Sequence, residues 1–191
     1  MKIGIFGGSF DPIHSGHAII ANYASQWMGL DEVWLMVSPQ NPFKQNSDLS
    51  PEESRCEMAE LVAGDCRNVK VSRFELTLPR PSYSYRTLSL LKKEHPEDEF
   101  TLIIGSDNWQ EFGRWRDNEK IIEEFDILIY PRPGYEIDAS ALPPGVRIMD
   151  EAPQVFISST FVRQSVKEGK NVNFFIPPRV YEYIRKHNLY R

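Results

Sequence analysis

A chain of 191 residues, 41% of them apolar, can bury one sizeable core, and we expect a single domain over residues 1–191. A net charge of −5 argues against a protein that coats nucleic acid or an anionic membrane. No apolar run approaches the roughly 20 residues of a membrane span, and the N-terminus enters a strand directly, without the plan of a signal peptide.

Residues 2–6, Lys-Ile-Gly-Ile-Phe, are apolar and partly β-branched, the pattern of a buried strand. Gly7 and Gly8 follow and are expected to turn the backbone sharply and let it approach a ligand. Ser9, Phe10, Asp11 and Pro12 continue the turn, and His14-Ser15-Gly16-His17 leads into a helix expected over 16–28, with Gly29 at its end. A strand, a glycine turn and a helix start form an anion site, because free N–H groups and the helix dipole converge there. His14 and His17, three residues apart, would then lie on nearly one face and could donate hydrogen bonds to charge building up on a phosphate. Two other readings stay open: one histidine caps the helix while the other is merely exposed, or Asp11, His14 and His17 bind zinc.

Residues 32–37 read as a second buried strand, which makes a βαβ unit and implies a parallel sheet with a right-handed crossover. Ligands bind beyond the carboxyl ends of strands in such sheets, which brings Lys44, in the proline-stiffened segment that follows, to the edge of the histidines. Ser50-Pro51-Glu52-Glu53 reads as a helix start with Ser50 as N-cap and Pro51 at the first helical position. The helix should run to about Ala63. Cys56 within it and Cys66 beyond it fit no C-x-x-C or zinc spacing and read as plain thiols of a reducing cytoplasm.

A third strand is expected over 69–74. Ser82-Tyr83-Ser84 then opens a helix rich in hydroxyls at its positive end, suited to a polar or anionic ligand. Residues 99–104 form a fourth strand. The Gly105-Ser106-Asp107 that follows offers close approach and a carboxylate for ribose hydroxyls, unless Asp107 only caps a helix at 108–112. Trp109, Phe112 and Trp115 are spaced as core aromatics, with Trp115 the most exposed and so the candidate platform for a ring. Strands are expected at 126–130 and 146–149. Ile157-Ser158-Ser159-Thr160 opens a serine-capped helix with Arg163 about one turn in, where its planar fork suits a phosphate chain. The tail, 177–189, is amphipathic with Val180, Tyr183 and Ile184 inward.

The unbroken G-x-F-D-P-x-H-x-G-H from Gly8 to His17 resembles the H-x-G-H nucleotidyltransferase superfamily, and the Ile157–Arg163 stretch resembles its second motif. The Pro39–Lys44 loop, Ser82–Ser84, Gly105–Asp107, Trp115 and Arg132-Pro133-Gly134 are similar to the nicotinate-mononucleotide adenylyltransferase branch. The resemblance implies an α/β fold: a Rossmann-like doubly wound parallel sheet of five to six strands with a C-terminal helical segment. It implies transfer of the adenylyl group of ATP to nicotinate mononucleotide, giving deamido-NAD and pyrophosphate. ATP would arrive with Mg²⁺ bridging its oxygens and no protein cage for the metal. His14, His17, Lys44 and Arg163 would be catalytic. Gly7, Gly8, Ser9, Phe10, Gly105, Asp107, Ile157, Ser158, Ser159 and Thr160 would join them in binding ATP. Ser9, Lys44, Tyr83, Ser84 and Trp115 would bind the acceptor. No nucleic-acid or membrane partner is implied, and a homo-oligomer is compatible. Arg86, where an acidic residue is expected, and Phe43, where a histidine is common, depart from the branch on the acceptor side. Another acceptor, such as nicotinamide mononucleotide or phosphopantetheine, a cytidylyltransferase, or a non-catalytic nucleotide-binding regulator are the competing readings.

Overall fold

A computed structural model describes residues 1–39 and 49–191. Lys44 and Phe43 lie outside the described residues. The chain runs β1 (Lys2–Gly8), α1 (Ser15–Trp27), β2 (Glu32–Val37), α2 (Glu52–Ala63), β3 (Val69–Ser72), α3 (Ser84–Glu94), β4 (Glu99–Gly105), α4 (Ser106–Gln110), α5 (Asn118–Glu124), β5 (Asp126–Tyr130), β6 (Val146–Ile148), α6 (Ser159–Lys167) and α7 (Pro178–Lys186).

The six strands form one parallel sheet in the order β3-β2-β1-β4-β5-β6. Each central strand is apolar on both sides because helices cover both faces. Ile3 and Ile5 of β1, Leu102 and Ile104 of β4, and Ile127 and Ile129 of β5 pack with Leu88 and Leu91 of α3 and Ile121 of α5. The alternate residues, Phe6, Ile103 and Leu128, face the opposite layer, where Ala21 and Ala24 of α1, Met58 and Ala59 of α2, Val162 of α6 and Val180 and Ile184 of α7 are buried. Full burial of each Ile, Leu, Val, Met or Phe among them contributes about 1.5–3 kcal/mol, and of each Ala less.

The strand order reverses between β1 and β4. Loops leaving these two strands depart toward opposite faces and open a crevice at their carboxyl ends. Gly7-Gly8 ends β1 and Gly105 ends β4, so the sequence motifs meet there.

Several expected boundaries move. Strand β3 stops at Ser72, and Phe74–Thr77 forms a 3-10 turn instead of continuing the strand. Pro51, not Ser50, is the N-cap of α2, because Ser50 is engaged on both sides: its N–H donates to Asp11 and its carbonyl accepts from Arg55. Helix α3 begins at Ser84, two residues later than expected, and no side chain caps it. Helix α4 begins at Ser106 with Gly105 as N-cap, so Asp107 sits inside the first turn and does not cap.

Candidate active site

The turn after β1 differs from the glycine turn that the sequence suggests. Gly7 and Gly8 both belong to the strand, and the left-handed residue is Phe10, with φ +48°. Gly8 is needed for another reason: a Cβ there would lie 2.9 Å from the Phe10 ring, whereas one at Gly7 would meet nothing within 4 Å. The Phe10 ring is buried and edge-on to Phe6 and His17. Phe10 can therefore offer a ligand its backbone but not its ring. Asp11 is buried too. Its carboxylate accepts from the Tyr190 hydroxyl at 2.6 Å and from the Ser50 N–H at 3.3 Å. It joins no cluster of metal-ligating side chains among the described residues, so the zinc reading of Asp11, His14 and His17 is not supported.

His14 is the N-cap residue of α1 and His17 lies one turn in. Their rings stack with centroids 3.7 Å apart and planes 23° from parallel. Neither histidine is merely exposed: His14 is buried and His17 is half-buried. The His14 N–H donates to His17 Nδ1 at 3.2 Å. A backbone N–H can only donate, so Nδ1 of His17 carries no proton and neutral His17 bears it on Nε2. Burial, with the Arg132 charge nearby, pushes His14 down to about 4. Burial, the neighbouring His14 and Arg132 hold His17 well below the ordinary imidazole value. Gly16 lets the rings pack, since a Cβ there would stand 3.1 Å from the His14 ring and 3.2 Å from Val155.

The start of α6 is stitched to the turn. The Ser158 hydroxyl caps the helix by accepting from the Phe161 N–H at 3.1 Å. The Ser159 hydroxyl donates to the Pro12 carbonyl at 2.9 Å. Arg163 donates to the Asp11 carbonyl at 2.7 Å and to the Thr160 hydroxyl at 3.3 Å. These groups hold one another before any ligand does. Ile157 and Ser158 line a pocket with His14, His17, Tyr130, Arg132 and Val155.

Gly105, at the end of β4, and Asp107, in the first turn of α4, do not line that pocket; Asp107 is linked to it through Arg132. Asp107 Oδ1 is ion-paired with Arg132 Nε at 3.2 Å, and Arg132 Nη2 donates to the Tyr130 hydroxyl at 2.6 Å. Asp107 is thus already paired, a contact that sequence spacing could not reveal. Arg132, quoted in the sequence only as part of Arg-Pro-Gly, is a cation whose charge lowers the pKa of both histidines.

A second pocket lies across the crevice. Gly7, Gly8, Ser9, Tyr83, Ser84 and Trp115 line it. Four of the five expected acceptor residues therefore meet, and Lys44 falls outside the described residues. Trp115 is half-buried and tilted against Phe112, so it is a wall of the pocket rather than an exposed ring. Arg86 is exposed and does not line the pocket; Arg116 does, its guanidinium 5.1 Å from the centre of the Tyr83 ring. Glu75 was not expected from sequence. It lines the same pocket, with its carboxylate accepting from Ser38 Oγ at 2.6 Å and Thr87 Oγ1 at 2.9 Å. Arg55 was missed as well, although it stands with Cys56, Met58, Ala59 and Val62 on the buried face of α2. A charged residue on an otherwise apolar helix stripe was the available signal.

The comparisons fit this geometry. The cytidylyltransferase-like family model matches residues 5–165, and the chain belongs to that family. It is 52% identical over 183 residues to a Bacteroides fragilis protein named "Probable nicotinate-nucleotide adenylyltransferase", covering 96% of this chain and 90% of that one. A Flavobacterium johnsoniae protein of the same name is 44% identical over the full length of both. Within the family, the chain belongs with these nicotinate-nucleotide adenylyltransferases. Among solved structures, the Plasmodium falciparum nicotinic acid mononucleotide adenylyltransferase complexed with NaAD superposes with a TM-score of 0.82 at 25% identity, over 99% of this chain and 97% of that one.

Proposed function

We propose that this chain transfers the adenylyl group of ATP to nicotinate mononucleotide, giving deamido-NAD and pyrophosphate. The observation that carries the reading is a pocket on each side of the Gly7–His17 stretch, one lined by the stacked His14–His17 pair and one, at the β1–β4 crevice, walled by Trp115. The naming of the relatives supports the substrates.

In this reading ATP, arriving as its magnesium complex, takes the histidine pocket. An oxygen of the mononucleotide phosphate attacks the α-phosphorus in line. A new P–O bond forms there as the bond to the oxygen bridging α- and β-phosphorus breaks, and pyrophosphate leaves with that electron pair. The attacking phosphate is already an anion, so no base is required, and catalysis is a matter of positioning and charge neutralisation. The Nε2–H of neutral His17 donates to the transferring phosphate, with His14 beside it. Arg163 and Lys44 balance the triphosphate. Asp107 exchanges its Arg132 contact for ribose hydroxyls, which frees Arg132 to meet phosphate. Mg²⁺ would arrive on the ATP oxygens with water completing its shell; the Asp11 carboxylate stays bonded to Tyr190 and Asp107 turns to the ribose, so neither would ligate it. The acceptor ring lies against Trp115. The enzyme is a single cytoplasmic domain.

The test is pyrophosphate release by the purified chain with ATP or CTP and a panel of acceptors. ATP with nicotinate mononucleotide should be fastest. Faster release with CTP, or with phosphopantetheine, would move the chain to another transfer reaction. ATP binding without release on any acceptor would make it a regulator.

A further inference from the structure

Arg55 is fully buried in α2, and no carboxylate bonds to its guanidinium among the described residues. Its partners are three backbone carbonyls: Ser9 at 2.6 Å and Ser38 at 2.8 Å, both from Nη1, and Ser50 at 3.2 Å from Nε. Ser9 follows β1, Ser38 follows β2 and Ser50 precedes α2, so one side chain ties three chain segments. A buried cation is costly unless its donors are satisfied, and a core of this size could have used an apolar side chain instead.

Ser9 and Ser38 also line the acceptor pocket beside Gly7 and Gly8. A carbonyl oxygen aimed into that pocket would oppose the phosphate of the acceptor. Bonded to Arg55, both oxygens are turned toward the guanidinium, and a fixed positive charge lies one peptide group behind the pocket wall. On the other side of the turn, Tyr190, the second-last residue, donates to Asp11 Oδ1, while Arg163 holds the Asp11 carbonyl. Asp11 is thus gripped through its side chain by the tail and through its backbone by α6.

We propose that Arg55 and Tyr190 are positioning residues for the transfer: Arg55 turns the Ser9 and Ser38 carbonyls away from the incoming phosphate, and Tyr190, through Asp11, pins the far side of the same turn. The inference rests on the reading that this turn takes phosphates. Neither residue touches substrate; both act through backbone that does.

The experiment uses the full chain with Arg55→Lys and Tyr190→Phe, assayed where circular dichroism shows each variant folded. Wild type is assayed first, so a chain without pyrophosphate release fails the functional reading and not this one; if another acceptor is preferred, it replaces nicotinate mononucleotide throughout. Arg55→Lys keeps the charge but can serve fewer carbonyls, and kcat/KM for the acceptor should fall about tenfold or more, with KM rising. Tyr190→Phe removes one hydroxyl, and kcat should fall several-fold. The double variant should lose less than the product of the two, because both act on one turn. A merely structural network predicts lower Tm with kcat and KM within twofold of wild type in the folded variants, and that result overturns the proposal for the residue concerned. If Arg55→Lys does not fold, Arg55→Gln is read in the same way. Failure of both to fold assigns Arg55 to stability and overturns its half, leaving Tyr190→Phe to decide the other.

Discussion

At His14 and His17 the surroundings alter chemistry that the residue type leaves open. Free histidine titrates near 6.5, but burial takes His14 to about 4. Between these values the unfolded chain binds a proton that the folded chain refuses. Stability contributed by His14 is therefore complete above about pH 6.5 and is lost as pH falls toward about 4, at roughly 1.4 kcal/mol per pH unit. Urea unfolding of wild type and His14→Asn across that window should show a shallower pH slope in the variant; parallel slopes would mean His14 titrates normally. His17→Ala removes the Nε2–H donor and should lower kcat by about 10²-fold or more, the scale of one lost transition-state donor. Near-normal turnover would remove His17 from the mechanism. Arg163→Lys leaves one point charge where a fork now reaches both the Asp11 carbonyl and Thr160. We expect kcat/KM for ATP to fall about tenfold, because lysine cannot hold α6 and the turn together; an unchanged value would show that charge alone suffices.

At the scale of elements, the β1–α1 connection is set by packing more than by glycine freedom. Gly8 leaves room for the Phe10 ring, while Gly7 faces open space. Gly8→Ala pushes a methyl into a buried aromatic edge and should cost about 1–3 kcal/mol, lowering Tm by several degrees. Gly7→Ala should leave Tm nearly unchanged. Equal thermal shifts in the two variants would contradict the packing account. The strand and the helix were legible from their apolar periods and from the glycine after Trp27-Met28. The left-handed Phe10 was not legible, since nothing in its residue type favours φ > 0 and only the surrounding pocket of Phe6 and His17 holds it there. The start of α2 was placed one residue early for a related reason: Ser50 is an excellent cap by type, but its backbone is committed to Asp11 and Arg55.

Across the whole molecule, the Gly7–His17 stretch runs past two pockets, one beneath the histidines and one, at the crevice between β1 and β4, walled by Tyr83, Ser84, Trp115 and Arg116. The second pocket combines the N-terminal end of α3 and the Arg116 cation with one carboxylate, Glu75, whose oxygens already accept from Ser38 and Thr87, and we expect the two positive features to favour an anionic acceptor. A helix N-terminus favours an anion by about 0.3–2 kcal/mol. A carboxamide in its place leaves polar groups unpaired at about 1–3 kcal/mol. Together these predict a preference for nicotinate over nicotinamide mononucleotide of about 10²-fold, at 1.4 kcal/mol per tenfold. The measurement is kcat/KM for both under saturating ATP and Mg²⁺. Equal values would sink the nicotinate preference while leaving adenylyl transfer intact.

The sequence by itself determined the βαβ start, the parallel sheet and the residues that gather at the carboxyl ends of its strands. These follow from local periodicity and from the rule that crossovers are right-handed, both of which act over a few residues. Only the tertiary structure decided which of those groups are already taken. Asp107 is paired with Arg132, 25 residues on, Asp11 with Tyr190 at the other end of the chain, and Ser159 with Pro12. It also put Arg116, and not Arg86, in the wall of the Trp115 pocket and bonded Arg55 to the turn after β1. A polar side chain's partner is set by which segments the sheet order brings together, and hydrogen bonds between distant segments leave no period in the sequence.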